Sequence, residues 1–468
     1  MDTLKPLDAA FLDLERSVQQ LNVGSVMIFE GPAPTLARIR SEFEALLPAL
    51  PRYRQRVRRV PLDLGLPRWV DDPAFDLDHH VQHLRLRAGA SDEQLRTVAV
   101  GLISAPLDLE HPLWRCWLLT GLEGGRWALA NTNHHAMIDG ISGADIIGLM
   151  LRADRDVPRR VSRRSVTWHP GASPSSVRLA AEAGVDLLRS PLVAARRLTH
   201  ALLPWTVRES LVEAYGVARA GEQVLHPELG LTGHLGPHRS WGWVRADLSD
   251  VKAVKTAHGG TVNDVVLAAT AGGFRALLEA RGKPVDGRTV RSMVPVSVRH
   301  ADEHGTLGNR VSAVLADLPV GIADPIERLH AVTAQLSSLK AGGTVLGLDA
   351  LLDSAELVPG PLYALGVRLW ARTPQRVIST VTTNIPGPQV PLYLLGRRLT
   401  DLYPYIPLGV DIRITIGIAS YAGQLAWGVT ADSDSVTDLQ VLCDGIETSL
   451  AELVQSIPTP SARQAHHA

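Results

Sequence analysis

Strand-like and helix-like hydrophobic patterns alternate along almost the whole chain, and this mixture constrains the fold more than any other feature. Apolar residues at alternate positions predict strands at Val23 to Phe29 and Trp127 to Asn133, whereas a spacing of three and four predicts a helix over Leu36 to Leu47. A second mixed region begins near Trp241, with its clearest helix over Asp264 to Glu279. Hydrophobic residues make up 45% of the 468 residues, which is enough for large buried cores. The chain is therefore predicted to be an α/β (α+β) protein.

The same patterns predict several further elements. They are helices over Ala9 to Glu15 and Ser142 to Leu151, strands over Ser292 to Val298 and Val311 to Leu318, and a hairpin of Ile412 to Ile418 with Leu425 to Val429. Thr35 is placed to cap the helix that follows it.

A change of composition divides the chain. Six arginines fall within the thirteen residues 152–164, followed by a Pro-, Gly- and Ser-rich stretch, which is typical of a surface linker. We therefore predict an N-terminal half over 1–151, a linker and helical connector over 152–240, a C-terminal half over 241–458 and a flexible tail over 459–468.

Charge and cysteine content narrow the class of protein. The formal net charge of −1 argues against nucleic acid as the main partner. The two cysteines, Cys116 and Cys443, are too few for a disulfide framework, and Cys116 has the surroundings of a small core residue. Neither uncharged stretch, Val377 to Gly396 or Ile414 to Ala431, reads as a membrane span, because the first contains three prolines and the second alternates like two strands. The expected location is the cytoplasm, with at most peripheral membrane contact.

The most informative segment carries two adjacent histidines at a strand end, followed by an aspartate and a glycine. It reads Asn131-Thr132-Asn133-His134-His135-Ala136-Met137-Ile138-Asp139-Gly140. A histidine held by a strand can face a cleft, and its pKa near neutrality suits it to proton transfer. The aspartate can tie down the loop, and the glycine permits a positive φ at the turn.

This segment has three other interpretations. The first is a metal site, but two adjacent histidines point to opposite sides of a strand and do not easily share a metal ion. The earlier histidines that could add ligands, His79, His80 and His83, do not have the spacing of a known metal motif. Ser142 lies in Gly-Ile-Ser-Gly-Ala, close to the G-x-S-x-G of serine hydrolases but lacking the last glycine. The plainest alternative is that both histidines are core residues.

The segment matches the H-H-x-x-x-D-G signature of acyltransferases of the chloramphenicol acetyltransferase type. The whole chain resembles one branch, the bacterial wax ester synthase/diacylglycerol acyltransferase family. The further matching segments, in order, are Pro6 to Phe11, Pro106-Leu107-Asp108, Pro112-Leu113-Trp114, Asn263 to Ala268, Asn384 to Pro388 and Leu402-Tyr403-Pro404.

The resemblance implies a fold and a set of site residues. The expected fold is two chloramphenicol-acetyltransferase-like sandwich halves with the active site in an interdomain channel. By carry-over, His135 is the general base, His134 supports it, Asp139 holds the loop and Gly140 permits its turn. The Asn263-Asp264 pair is either substrate-binding or structural, with Asn263 a weak candidate for an oxyanion donor and helix capping its plainer role.

The resemblance also implies the reaction. The expected activity is O-acyl transfer from acyl-CoA to diacylglycerol without an acyl-enzyme, and wax ester synthesis from a long-chain alcohol is the alternative. A serine esterase and a non-catalytic lipid binder are the less favoured hypotheses. No metal or cofactor is implied, since acyl-CoA is a co-substrate. The expected partners are acyl-CoA and a lipid acceptor, with peripheral contact to a membrane or lipid droplet.

Overall fold

The computed structural model describes residues 2–15, 18–137, 146–155, 168–185, 229–297, 311–341, 367–368, 375 and 377–458. Within these ranges the chain forms two six-stranded sheets and one three-stranded sheet, with helices packed on them. The mixed α/β class predicted from the hydrophobic patterns is confirmed. Most of the arginine-rich linker, residues 186–228 of the connector and the tail lie outside the described residues.

The first large sheet has the strand order β12-β13-β2-β7-β6-β5, and its β5–β6 pair is parallel while the others are antiparallel. The strands of this sheet are β2 (Asn22–Phe29), β5 (Val81–Ala90), β6 (Trp114–Leu122), β7 (Trp127–His134), β12 (Tyr393–Leu394) and β13 (Arg397–Tyr405). The small sheet consists of β1 (Asp2–Thr3), β3 (Gln55–Arg58) and β4 (Arg68–Asp71).

The helices described in the N-terminal half are α1 (Pro6–Leu14), α2 (Leu36–Leu46), α3 (Leu77–His80), α4 (Asp92–Ile103) and α5 (Ile146–Met150). The predicted cap of α2 is confirmed, because Thr35 Oγ1 accepts a hydrogen bond from the Arg38 N–H at 3.3 Å.

The second large sheet has the order β10-β9-β11-β14-β15-β8. Its strands are β8 (Arg239–Asp247), β9 (Val290–Ser297), β10 (Val311–Leu318), β11 (Thr380–Ile385), β14 (Ile414–Tyr421) and β15 (Gln424–Asp432). The helices described in this half are α6 (Leu248–His258), α7 (Val262–Ala280), α8 (Pro325–Ala341) and α9 (Leu439–Gln455). The predicted hairpin is confirmed as the antiparallel pair β14–β15. The predicted boundaries between the two halves, the connector and the tail stay a prediction.

A strand from late in the chain completes the first sheet, which the hydrophobic pattern did not reveal. β13 pairs with β2 along Tyr405↔Gly24 to Leu399↔Phe29, so the C-terminal half supplies an edge of the N-terminal sheet. Where β13 ends, it crosses the second sheet at two glycines that pair with each other, Gly417 on β14 and Gly428 on β15. A Cβ at Gly428 would overlap the carbonyl oxygen of Pro404, so the bare backbone permits the close approach of the sheets.

The two halves also share a hydrophobic cluster. It joins apolar residues of β2, β6, β7 and α4 to Trp241, Tyr403, Tyr405 and Ala426. The rings of Trp243 and Tyr403 stack with centroids 3.9 Å apart. Burial across this junction fixes the halves against each other through apolar area and ring stacking.

The expectation that Cys116 is a core residue is confirmed. Cys116 is 1% exposed, as expected of a small core residue, and Leu113 and Trp114 of the Pro-Leu-Trp element are also buried. Among the residues that the structure describes, no helix combines the length and the apolar character that a membrane crossing requires.

Candidate active site

The two histidines lie where a central strand ends and a tight turn begins. β7 ends at His134, which pairs with Asn22 of β2, and His135 opens a short 3₁₀ turn over His135–Met137. β7 is buried along its whole length and lies between β2 and β6. A residue at the end of such a strand has a backbone position fixed by the sheet, which is what a precisely placed catalytic group requires.

His134 contacts the protein through both ring nitrogens. Its side chain is buried, with 1% exposure. Nδ1 accepts a hydrogen bond from the Ala136 N–H at 3.0 Å, and Nε2 lies 3.1 Å from Oε1 of Glu15. With Nδ1 hydrogen-bonded and Nε2 facing a carboxylate without hydrogen-bond geometry, His134 has the contacts of a supporting residue.

His135 has a different environment. Its side chain is half-buried, and its ring packs on Phe11 of α1 with centroids 4.0 Å apart and planes tilted by 32°. Its backbone N–H donates to the Leu21 carbonyl at 2.9 Å. Ring atom Nδ1 is buried and has no hydrogen-bond partner on another residue in the described part of the chain. The ring is therefore held by packing and by its backbone.

Burial lowers the pKa of His135 to about 4, because the protein interior disfavours the charged imidazolium. A contact of the ring with its own backbone raises the pKa in part, and the neighbouring His134 lowers it further. The imidazole is therefore neutral at pH 7, which is the form that accepts a proton.

Three residues of the motif region, Asp139, Gly140 and Ser142, lie outside the described residues. Their expected roles, in the loop, in the turn and as a hydrolase nucleophile, stay predictions.

The Asn263-Asp264 pair lies at the start of α7. The expectation that Asn263 caps this helix is wrong, because the capping residue is Thr261. The Thr261 hydroxyl accepts a hydrogen bond from the Asp264 N–H at 3.2 Å, and Oδ2 of Asp264 accepts one from the Thr261 N–H at 2.8 Å. The helix starts two residues before Asp264, so Asn263 falls in its first turn instead. Oδ1 of Asn263 accepts a 3.4 Å hydrogen bond from Nδ2 of Asn384, which joins the start of α7 to the end of β11.

The earlier histidines are not arranged as metal ligands. His80 is buried, its Nδ1 lies 2.8 Å from the Trp114 carbonyl oxygen, and its ring stacks on the Trp114 indole. His83 is exposed and contacts the Thr120 hydroxyl. Within the described ranges, no three His, Cys, Asp or Glu side chains form a group suited to a metal ion.

Glu15 and Phe11 belong to this site although no sequence pattern assigned either of them a role there. Glu15 follows the last residue of α1. The only feature of the sequence that could have pointed to it is a carboxylate shortly before a predicted strand. Phe11 appeared as one apolar residue of a helix. Their contacts with the histidines arise from the fold, because α1 packs against the turn that starts at His135.

The buried histidines predict an acid-labile fold. Burial also lowers the pKa of His80, to about 3, and an unfolded histidine has a pKa of about 6.5. As the pH falls below 6.5, the unfolded chain binds protons that the folded chain does not, so the free energy of unfolding should fall until the pH reaches the folded pKa values. Urea titrations at pH 7.5 and pH 5 measure this loss. His80→Asn should reduce the loss and the exposed His83→Asn should not; equal pH dependence in all three proteins would contradict the assignment.

The chain matches known proteins over nearly its whole length. The model of the wax ester synthase/diacylglycerol acyltransferase catalytic domain matches residues 4–266, and that of the WS/DGAT C-terminal domain matches residues 307–454. The chain is 35% identical over 458 residues to the probable diacylglycerol O-acyltransferase tgs1 of Mycobacterium tuberculosis, covering 97% of this chain and 96% of that one. A putative diacylglycerol O-acyltransferase of Mycobacterium bovis matches with the same identity and coverage.

Solved structures show the same fold. The wax ester synthase/diacylglycerol acyltransferase from Marinobacter aquaeolei superposes with a TM-score of 0.66 at 24% identity, covering 97% of this chain and 98% of that one. The first condensation domain of the CDA synthetase superposes with a TM-score of 0.59 at 16% identity, covering 98% and 97%. The chain therefore belongs to the wax ester synthase/diacylglycerol acyltransferase family and is an O-acyltransferase of that type.

Proposed function

We propose that this enzyme transfers a long-chain acyl group from acyl-CoA to diacylglycerol, giving triacylglycerol and free CoA. The relatives at 35% identity carry the name diacylglycerol O-acyltransferase and align over almost their full length. A condensation domain of related fold (TM-score 0.54) is described in complex with C8-CoA, which supports the acyl thioester as the donor.

In the proposed mechanism His135 is the general base. Its neutral imidazole removes the proton from the acceptor hydroxyl as the oxygen attacks the thioester carbonyl, and the tetrahedral intermediate collapses with cleavage of the C–S bond. The imidazolium returns the proton to the leaving thiolate, so the enzyme ends unchanged and no acyl-enzyme forms. The observation that carries this proposal is the position of the His135 ring, which is half-buried at the end of a central strand and packed on Phe11.

The surroundings of His135 favour a lipid acceptor. The ring packs on Phe11, and an apolar wall beside the base suits a lipid acceptor better than water, which would compete for the thioester. An apolar channel between the two halves would gain about 0.8 kcal/mol for each methylene it buries, without polar recognition of the chain. Broad tolerance for acyl and acceptor length follows, because one methylene changes discrimination only by about tenfold. Asn263 is retained as a candidate donor to the oxyanion.

A lipid surface is the proposed source of the acceptor, since diacylglycerol is insoluble in water and acyl-CoA is a cytoplasmic metabolite. We therefore propose peripheral contact with a membrane or lipid droplet.

An acceptor competition tests the proposal. Purified enzyme with labelled palmitoyl-CoA and equal concentrations of dioleoylglycerol and hexadecanol should give triacylglycerol as the main product, separated by thin-layer chromatography. A wax ester as the main product would replace the proposal by wax ester synthesis. Label on the protein, or loss of activity in Ser142→Ala together with labelling by an organophosphate, would instead indicate a serine esterase.

A further inference from the structure

We propose that Glu15 is a positioning residue for the acyl transfer, and that one of its carboxylate oxygens sets both His134 and the backbone of His135. The inference rests on the proposed role of His135 as general base. Glu15 lies at the end of α1, more than a hundred residues before the histidines in sequence, and reaches them only in the folded protein.

A single oxygen of Glu15 makes two contacts. Oε1 accepts a hydrogen bond from the Leu21 N–H at 3.0 Å and lies 3.1 Å from Nε2 of His134. The second approach is bent away from a linear N–H···O arrangement, so it is a dipolar contact between the polarised ring N–H and this oxygen and not a hydrogen bond. The Glu15 side chain is 22% exposed, so this interaction is largely shielded from water.

The contacts of His134 define its tautomer. Nδ1 accepts the Ala136 N–H, so in the neutral ring the proton must be on Nε2, which faces Glu15. The carboxylate favours this tautomer because it attracts the Nε2 proton. If Nδ1 were protonated instead, two N–H groups would face each other and the bond to Ala136 would be lost.

These contacts hold the backbone on both sides of the His135 side chain. The His135 N–H donates to the carbonyl of Leu21, whose own N–H donates to Glu15. The next amide, that of Ala136, donates to His134, whose other nitrogen faces Glu15. Both anchors of the catalytic residue therefore lead to the same carboxylate oxygen. A catalytic group displaced by about 1 Å can lose about 10²-fold in rate, which makes such anchoring matter for turnover.

The test compares three variants of Glu15 with wild type. Glu15→Ala removes both contacts, and Glu15→Asp draws the carboxylate back by one methylene, so both should lower kcat, by about 10- to 100-fold for the alanine variant. KM for acyl-CoA should stay within about threefold, because Glu15 is not proposed to touch substrate. Glu15→Gln keeps an oxygen that can make both contacts and should retain kcat within about fivefold. The exposed Glu93→Ala is the matched control and should behave as wild type.

Structure and tautomer are measured alongside the rates. Circular dichroism and urea titration report the folded fraction, and kcat is expressed per folded enzyme. Long-range ¹H–¹⁵N spectra of the imidazoles should show the Nε2–H tautomer of His134 in every variant, because Ala136 still donates to Nδ1. The Nε2 chemical shift should be displaced in Glu15→Ala, where the facing oxygen is gone, and stay near the wild-type value in Glu15→Gln.

Three results would overturn the proposal. One is a Glu15→Ala enzyme with wild-type kcat per folded molecule, even if its stability falls, because Glu15 would then serve the fold alone. Another is a Glu15→Gln enzyme as slow as the alanine variant, because the negative charge and not the shared oxygen would then matter. The third is an Nε2 chemical shift of His134 that is the same in Glu15→Ala as in wild type. None of these results touches the proposed acyl transfer, which the acceptor competition and the His135→Ala variant test separately.

Discussion

Replacing His135 with alanine should lower kcat by about 10³-fold, within the range that general base catalysis contributes. The variant removes the proton acceptor proposed for the acceptor hydroxyl and leaves the thioester binding site in place, so KM for acyl-CoA should change little. The measurement is release of CoA from palmitoyl-CoA in the presence of diacylglycerol, with triacylglycerol quantified in the same samples.

The fold should survive this change. The backbone contact of His135 with Leu21 does not use the side chain, and the lost ring is only half-buried. The variant also removes a group whose pKa is lowered to about 4 in the folded protein, so its stability should depend less on pH between 6.5 and 4. His83→Ala, an exposed histidine in β5, is the control and should keep full activity. Turnover of His135→Ala within threefold of wild type would remove this residue from the mechanism.

Gly428→Ala should destabilise the protein by about 3 kcal/mol or prevent its assembly, because a backbone atom cannot yield as a flexible side chain can. A methyl at this position would overlap the carbonyl oxygen of Pro404 in β13 and would come within 2.9 Å of Nε1 of Trp241. The crossing strand and the second sheet would have to separate. Urea titration of both proteins measures the effect on the free energy of unfolding.

The matched control is a glycine in open space. Gly101 lies on α4, is exposed, and has nothing within 4 Å of the position that a Cβ would take. Gly101→Ala should leave stability unchanged or raise it by about 0.5–1 kcal/mol, because alanine favours the helix. If Gly428→Ala were as stable as wild type, the close crossing of β13 over β14 and β15 would be wrong.

Local patterns predicted individual elements well where a single physical signal dominated. The alternation from Trp127 to Asn133 became β7, which runs one residue further, to His134. Val311 to Leu318 became β10 with the same bounds. These predictions succeed because burial of one or both faces imposes its period directly on the sequence.

Local patterns were less informative where two side chains compete for one role. Both Thr261 and Asn263 are good capping residues by type, and the sequence favoured Asn263. The structure selects Thr261 because the reciprocal bond from Asp264 requires a partner three residues earlier. Asn263 is then available for its contact with Asn384, a residue on a distant strand.

The sequence by itself determined the fold class, the family and the histidine pair, because periodicity and a short motif are properties of neighbouring residues. Tertiary structure alone decided that Glu15 and Phe11 meet the histidines, and that β13 crosses the second sheet at Gly417 and Gly428. These contacts join residues far apart in the chain, and each partner is of an ordinary type in its own segment. They become specific only when the sheets pack, since packing fixes which side chain or bare backbone faces which.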